Sequence, residues 1–346
     1  MAMEGLLSSS LACSRPKLGE AEGFKRAWDE LEAYVRARPV LTDQHLSSYH
    51  ADGCCLVRLG GKIVEADACH KTTPSQRRAG QADLDTLADL ALLAVARELV
   101  ILRPHEVCNV QSFQELYGGR LISDIIPEAH HVDFNGTECR RDHTKEQPPM
   151  RLHVDDCDHG CSPAVQLLLG IKNVNQTPTT VALVPKEEEL LAAGIRVDLL
   201  REPLYQHQPP SITATSAVPL RPVLYGAKER PRIQADVKST RGIRQDAAEA
   251  WEDLHRFLQK KTRFVALAPG DVLVLDNTRV LHGRGSLQPV EDSANRRWVK
   301  RLWLTGTATE KTLATCHNPL QRHPRVFSRQ LAYDRTKPML NPMEHF

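Results

Sequence analysis

The chain has 346 residues, and its 45 basic side chains nearly balance 43 acidic ones, leaving a formal net charge of +2. That balance gives no electrostatic case for a nucleic acid or a membrane surface as partner, and 25% charged with 41% hydrophobic residues is ordinary for a soluble globular protein. Nine cysteines are an odd number in so long a chain, which favours reduced thiols in a cytoplasmic protein over a small disulfide framework.

Residues 1–19 read as a flexible N-terminus. Within them a short apolar stretch ends in Ser10-Leu11-Ala12-Cys13, similar to a lipoprotein cleavage site, but no Lys or Arg precedes it and Glu4 interrupts the apolar run. No stretch is long and apolar enough to span a bilayer as a helix. Phe24, Trp28, Leu31 and Val35 recur at helical spacing and predict an amphipathic helix over about 20–37, stopped before Pro39. A second helix is expected over 83–100, on a stripe of Leu84, Leu87, Ala91, Ala94 and Val95. Strands are expected at 121–126, 150–155, 165–171 and 179–184, followed by a short helix at 187–193 that ends at Gly194.

Residues 228–244 are polar and mixed in charge, either a lid or a plain solvated insertion. A third helix spans 245–260, with Ala248, Trp251, Leu254 and Leu258 inward. Strands follow at 264–267, 272–275 and 298–305, and 326–346 reads as a C-terminal tail. Helices first and many short strands afterwards point to a mainly β domain over 20–325, a sandwich with a helical flank.

The chemistry concentrates in two places. In Met150-Arg151-Leu152-His153-Val154-Asp155 an extended strand would put His153 and Asp155 on one face, roughly 7 Å apart at Cα. Downstream, Ala268-Pro269-Gly270-Asp271 reads as a turn and Val272 to Leu275 as a buried strand. A polar loop over 277–285 then carries His282, with Gly283 and Gly285 allowing close backbone approach. Two imidazoles and one carboxylate are the ligand set that holds non-haem Fe(II) with positions left open. Arg297 and Arg301, inward on a strand beside Trp298 and Trp303, are costly to bury unless they meet anions, and a guanidinium fork suits a carboxylate. A rival reading is structural zinc, from the crowding of His153, Asp155, Cys157, His159 and Cys161 below His130 and His131, but no second Cys pair completes a four-ligand set.

These residues carry a resemblance. The run Leu267-Ala268-Pro269-Gly270-Asp271-Val272-Leu273-Val274-Leu275-Asp276-Asn277-Thr278-Arg279-Val280-Leu281-His282-Gly283-Arg284, the segment Arg297-Trp298-Val299-Lys300-Arg301, Gly119 to Pro127, and Pro178-Thr179-Thr180-Val181 together resemble the clavaminate synthase-like branch of Fe(II)/2-oxoglutarate-dependent oxygenases, over roughly 80–310. The resemblance implies a double-stranded β-helix, or jelly-roll, core flanked by helices. It implies Fe(II) on His153, Asp155 and His282, with 2-oxoglutarate held by Arg297 and a Thr of the 179–180 pair, here assigned as Thr180, and O2 as the oxidant. The main substrate, a free amino acid, would meet Arg301, Ser123, Asp155 and, on the lid, Asp236.

Members of this branch hydroxylate polar amino acids at C3 or C4, such as citrulline, arginine, glutamine or lysine, often for antibiotic biosynthesis. Desaturation, cyclisation or non-catalytic metal binding are the alternative outcomes. The chain departs from the pattern in carrying Asp155 where relatives have Glu, and Lys238 where a second acid would complete a guanidinium clamp with Asp236.

Overall fold

The computed structural model describes residues 21–65, 87–112, 122–127, 130–132, 138–140, 146–157, 162–207, 220–292, 295–306 and 326–328. The expected N-terminal segment, Leu84, Gly119 to Leu121, His159, Cys161 and most of the C-terminal tail fall outside these residues, as do the side chains of His130 and His131.

The first helix forms as its spacing dictates: α1 spans Ala21–Ala37, and Trp28, Leu31 and Val35 are buried, each worth about 1.5–3 kcal/mol relative to exposure. A helix that the apolar pattern does not reveal follows, α2 over Asp43–Asp52, whose start is fixed by a capping box between Thr42 and His45. It leads directly into β1, Cys54–Arg58. Helix α3 covers Leu87–Leu102 and is buried on every side from Ala88 to Val100, so it is a core helix rather than an amphipathic one. It packs between α1 and a sheet. Two of its buried polar groups have clear partners: Glu98 accepts the backbone N–H groups of Val40 and Leu41, and the Arg97 guanidinium pairs with Glu32 and lies 5.1 Å from the Trp28 ring centroid.

The remaining core strands are β2 Val107–Ser112, β3 Ile122–Ile125, β4 Met150–His153, β5 Val165–Lys172 and β6 Thr179–Leu183. After helix α4, Gln245–Lys260, come β7 Arg263–Val265, β8 Asp271–Asp276, β9 Val280–Arg284, β10 Trp298–Gly306 and β11 Val326–Ser328. They form two sheets. The larger runs β1-β8-β5-β10-β2-β11, with β3 also on β10; the smaller runs β7-β6-β9-β4. All described pairings in both are antiparallel except β11 on β2.

Leu168, Leu273, Leu275 and Val299 of the larger sheet and Val181 and Val280 of the smaller share one apolar cluster, so the sheets lie face to face. The outer face of the larger sheet packs on α1 and α3. The outer face of the smaller packs on α4 and two short helices, Glu187–Ala192 and Val197–Arg201. Within α4 the inward residues are Ala247, Ala250, Trp251, Leu254 and Leu258, so Ala247 and Ala250 take the place expected for Ala248. Among the described residues no helix is long and apolar enough to cross a membrane.

Candidate metal centre and carboxylate sites

Two local expectations are corrected. The strand bearing His153 ends there, and Asp155 lies in a turn followed by Asp156 at φ +55°. Alternation along a strand therefore does not place the carboxylate. His282 is not in a loop either. A tight turn after β8 sends the chain across to the smaller sheet, and His282 sits mid-strand in β9, directly opposite His153 on β4. Their rings lie 4.4 Å apart between centroids. Gly283 is needed for that pairing, because a Cβ there would stand 2.5 Å from the Met150 carbonyl oxygen and 2.8 Å from Thr180 Oγ1.

The structure brings His153, Asp155 and His282 together, with one donor atom from each within 4.8 Å of the others. Asp155 Oδ1 lies 3.5 Å from His153 Nε2 and 3.6 Å from His282 Nε2. His153 Nδ1 is 3.0 Å from the Arg151 carbonyl. A carbonyl only accepts, so Nδ1 carries the proton and the Nε2 lone pair faces the cluster. The second oxygen, Asp155 Oδ2, accepts from Trp303 Nε1 at 2.7 Å and Arg301 Nη1 at 3.1 Å. Burial would raise the Asp155 carboxyl, but Arg301 and then the two imidazoles outweigh it and hold it well below the usual carboxylate range. The His282 imidazole is lowered, chiefly by burial and then by His153, and so stays neutral. Two imidazole nitrogens and an ionised oxygen converging on one point fit a divalent first-row metal.

Arg301 also points Nε at Ser123 Oγ, 3.4 Å away, and its guanidinium carbon lies 4.6 Å from the Trp303 ring centroid. The expected anchor for a substrate carboxylate is therefore already braced against the centre. Asp155, which the substrate was also expected to meet, has its Oδ2 taken by Arg301 and Trp303.

Arg297 is buried, and its Nη2 donates to Thr179 Oγ1 at 2.9 Å. Thr179, not Thr180, is its partner: neighbouring residues on β6 face opposite ways, and Thr179 with Val181 faces the larger sheet while Ala182, on the side of Thr180, packs toward α4. Arg297 lies at a small cleft lined also by Gln147, Asn173 and Thr177, and its Nε is buried without a partner. Burial and then Arg284 bring its pKa down to about 10. Among the described residues no carboxylate forms an ion pair with it, and a buried guanidinium of this kind is costly unless it meets an anion.

Residues 228–244 are fastened down rather than loose. Val154 N donates to Ala235 O, Val237 N to Leu152 O, and Ile233 N to Thr278 O, so Asp236 comes to lie opposite His153 in a single β-bridge. One Asp236 oxygen accepts the Lys238 N–H at 2.8 Å. Lys238 is exposed. Cys157 is buried in the apolar cluster under α4, away from the grouping of candidate ligands, which among the described residues consists of His153, Asp155 and His282.

Residues 184–303 match the family model described as taurine catabolism dioxygenase TauD, TfdA family. The chain is 26% identical over 216 residues to an L-ornithine/L-arginine 3-hydroxylase of Catenulispora acidiphila, covering 54% of this chain and 60% of that protein. It is 37% identical over 185 residues to an L-lysine 3-hydroxylase of the same organism, covering 51% and 50%. These matches therefore span little more than half the length of the curated relatives. In structure it resembles the non-heme iron oxygenase OrfP in complex with Fe and alpha-ketoglutaric acid, with a TM-score of 0.66 at 23% identity over 88% of this chain and 90% of that one. These matches bear out the resemblance read from the sequence, and they support a fold of antiparallel sheets with flanking helices.

Proposed function

We propose that this chain, which resembles the clavaminate synthase-like Fe(II)/2-oxoglutarate-dependent oxygenases in motif and in fold, is a hydroxylase of a free amino acid. The observation that carries the reading is the convergence of His153 Nε2, His282 Nε2 and Asp155 Oδ1, together with a buried Arg297 that forms no ion pair with a carboxylate among the described residues. In the same reading the two facing sheets are a jelly-roll core within one domain over 20–325.

His153, Asp155 and His282 would hold Fe(II), which with 2-oxoglutarate and O2 supplies the oxidation that inserts oxygen into a C–H bond. The protein's part is binding, orientation and exclusion of water. Arg297, with Thr179 as its hydrogen-bonded neighbour, would hold the distal carboxylate of 2-oxoglutarate. Arg301, kept in place by Ser123 and Asp155, would present its guanidinium to the substrate carboxylate. Asp236, opposite His153, is placed to accept N–H groups of a polar side chain such as that of citrulline, arginine, glutamine or lysine, with residues 228–244 covering that end. Relatives acting on arginine, ornithine and lysine support an amino-acid substrate.

The test is anaerobic reconstitution with Fe(II) and 2-oxoglutarate, then an O2 pulse in the presence of each common amino acid, citrulline or ornithine. Succinate should form together with a product heavier by one oxygen atom. His153→Ala and His282→Ala, each lacking one of three protein ligands, should stay folded but lose iron binding and turnover. Succinate formation near the wild-type level in either variant would remove the assignment.

A further inference from the structure

Asp155 has a short side chain and stands outside regular structure, so something other than a strand must fix where its oxygens fall. Asn277, 2% exposed, does this for the backbone. Its Oδ1 accepts the Asp155 N–H at 2.9 Å, and its Nδ2 donates to the Asp155 carbonyl at 3.2 Å and to the Pro163 carbonyl at 2.9 Å. The orientation of the amide is not arbitrary, because an N–H needs the oxygen and two carbonyls need the NH2 group. One side chain thus brackets the residue and ties it to Pro163, just before β5.

Trp303 completes the task at the carboxylate. An indole N–H can only donate, and this one, on a residue 1% exposed, is spent on Asp155 Oδ2 at 2.7 Å. With Arg301 on the same atom, the carboxylate is split into a saturated oxygen and one facing both imidazoles.

We propose that Asn277 and Trp303 are positioning residues that hold Asp155 as a single-oxygen metal ligand, Asn277 through its backbone and Trp303 by occupying Oδ2. The inference rests on the metal-centre reading above. It implies that a substrate ammonium is not recognised by Asp155 and must find its acceptor on other residues. The sequence signal was modest: Asn277 adjoins the turn after a buried strand, and Trp303 lies two positions beyond Arg301, on the same face of β10.

The experiment is anaerobic titration of Co(II), a spectroscopic probe for the Fe(II) site, into the wild type, Trp303→Phe and Asn277→Ala. Thermal unfolding of the metal-free proteins is measured in parallel. Trp303→Phe keeps a ring and removes the donor; Asn277→Ala removes the bracket. Each should weaken Co(II) binding by about 10- to 100-fold and alter the visible absorption of the bound ion. A purely structural role would lower the melting temperature and leave affinity and spectrum unmoved at temperatures where the variant is folded, and that result overturns the proposal. If Asn277→Ala does not fold, Trp303→Phe alone decides. Failure of the wild type to bind Co(II) overturns the metal-centre reading and this inference together, whereas tight binding by wild type and variants alike overturns only the inference.

Discussion

Arg297 and Arg301 illustrate how differently two arginines four residues apart can be employed. Arg301 is matched by Asp155, whereas Arg297 has a hydroxyl neighbour and a nearby second guanidinium, Arg284. A cation lowered to about 10 is still charged at neutral pH, so it should gain a carboxylate readily. Arg297→Ala is therefore expected to raise the 2-oxoglutarate requirement far more than the amino-acid requirement, by about 1.5–3 kcal/mol for a lost charge-assisted bond. Thr179→Val should raise the same requirement by less, and Thr180→Val should leave it near wild type. Titration of both substrates in the three variants checks the ordering; equal effects at 179 and 180 would mean that Thr179 is not part of the carboxylate site. The sequence displayed the arginines and the pair of threonines. It did not say which threonine faces inward, because that depends on which side of β6 the larger sheet covers.

Elements were legible where apolar residues set the pattern and obscure where polar residues serve the site. Val165–Lys172, Asp271–Asp276 and α4 lie where the sequence predicts them, because apolar runs and helical stripes leave little choice. The strand β9 reads as a loop because its last three residues, His282, Gly283 and Arg284, lack the apolar pattern that marks a strand. Helix α2 escapes notice because only Tyr49 in it is buried and His45 replaces the usual Glu or Gln of a capping box. The 228–244 segment is another case. Its hidden fastening includes His207, whose Nδ1 lies 3.0 Å from Thr240 Oγ1, the same hydroxyl that accepts the Asp236 N–H at 3.0 Å. Burial, and then Arg221, push the His207 imidazole down to about 4 from 6.5. The folded protein thus keeps it neutral where the unfolded chain takes up a proton. Stability should be unaffected by this group above about pH 6.5 and fall as the pH drops toward 4, by on the order of 3 kcal/mol. Denaturant unfolding across that range should show a shallower pH slope for His207→Gln than for wild type; identical slopes would exclude His207 as the source.

At the scale of the whole molecule, the site strands are held from behind. Helix α3 is enclosed by α1 and the larger sheet, and the tie between helix and sheet includes an ion pair. Lys300 Nζ, on β10 between Arg297 and Arg301, lies 3.0 Å from Asp89 Oδ1 and 3.6 Å from Asp124 Oδ1. Lys300 and Asp89 are 5% and 1% exposed, so both charges were taken out of water at a cost that their attraction only offsets. Removing one partner should therefore hurt more than removing both. Lys300→Met leaves Asp89 buried without its cation and should destabilise by about 3–5 kcal/mol. Asp124 is less exposed to this loss, since it also accepts from Trp298 Nε1 at 2.8 Å. Adding Asp89→Leu should restore most of the stability, because Leu90, Leu93 and Leu302 already make that region apolar. The helix-facing side chains of β10 lie on the face opposite Arg301, so the double variant should keep its 2-oxoglutarate response while Lys300→Met alone loses folded protein. A double-mutant cycle by denaturant unfolding measures the coupling. Additive losses at the two positions would show that the pair does not act as a unit, and that packing alone fixes the helix to the sheet.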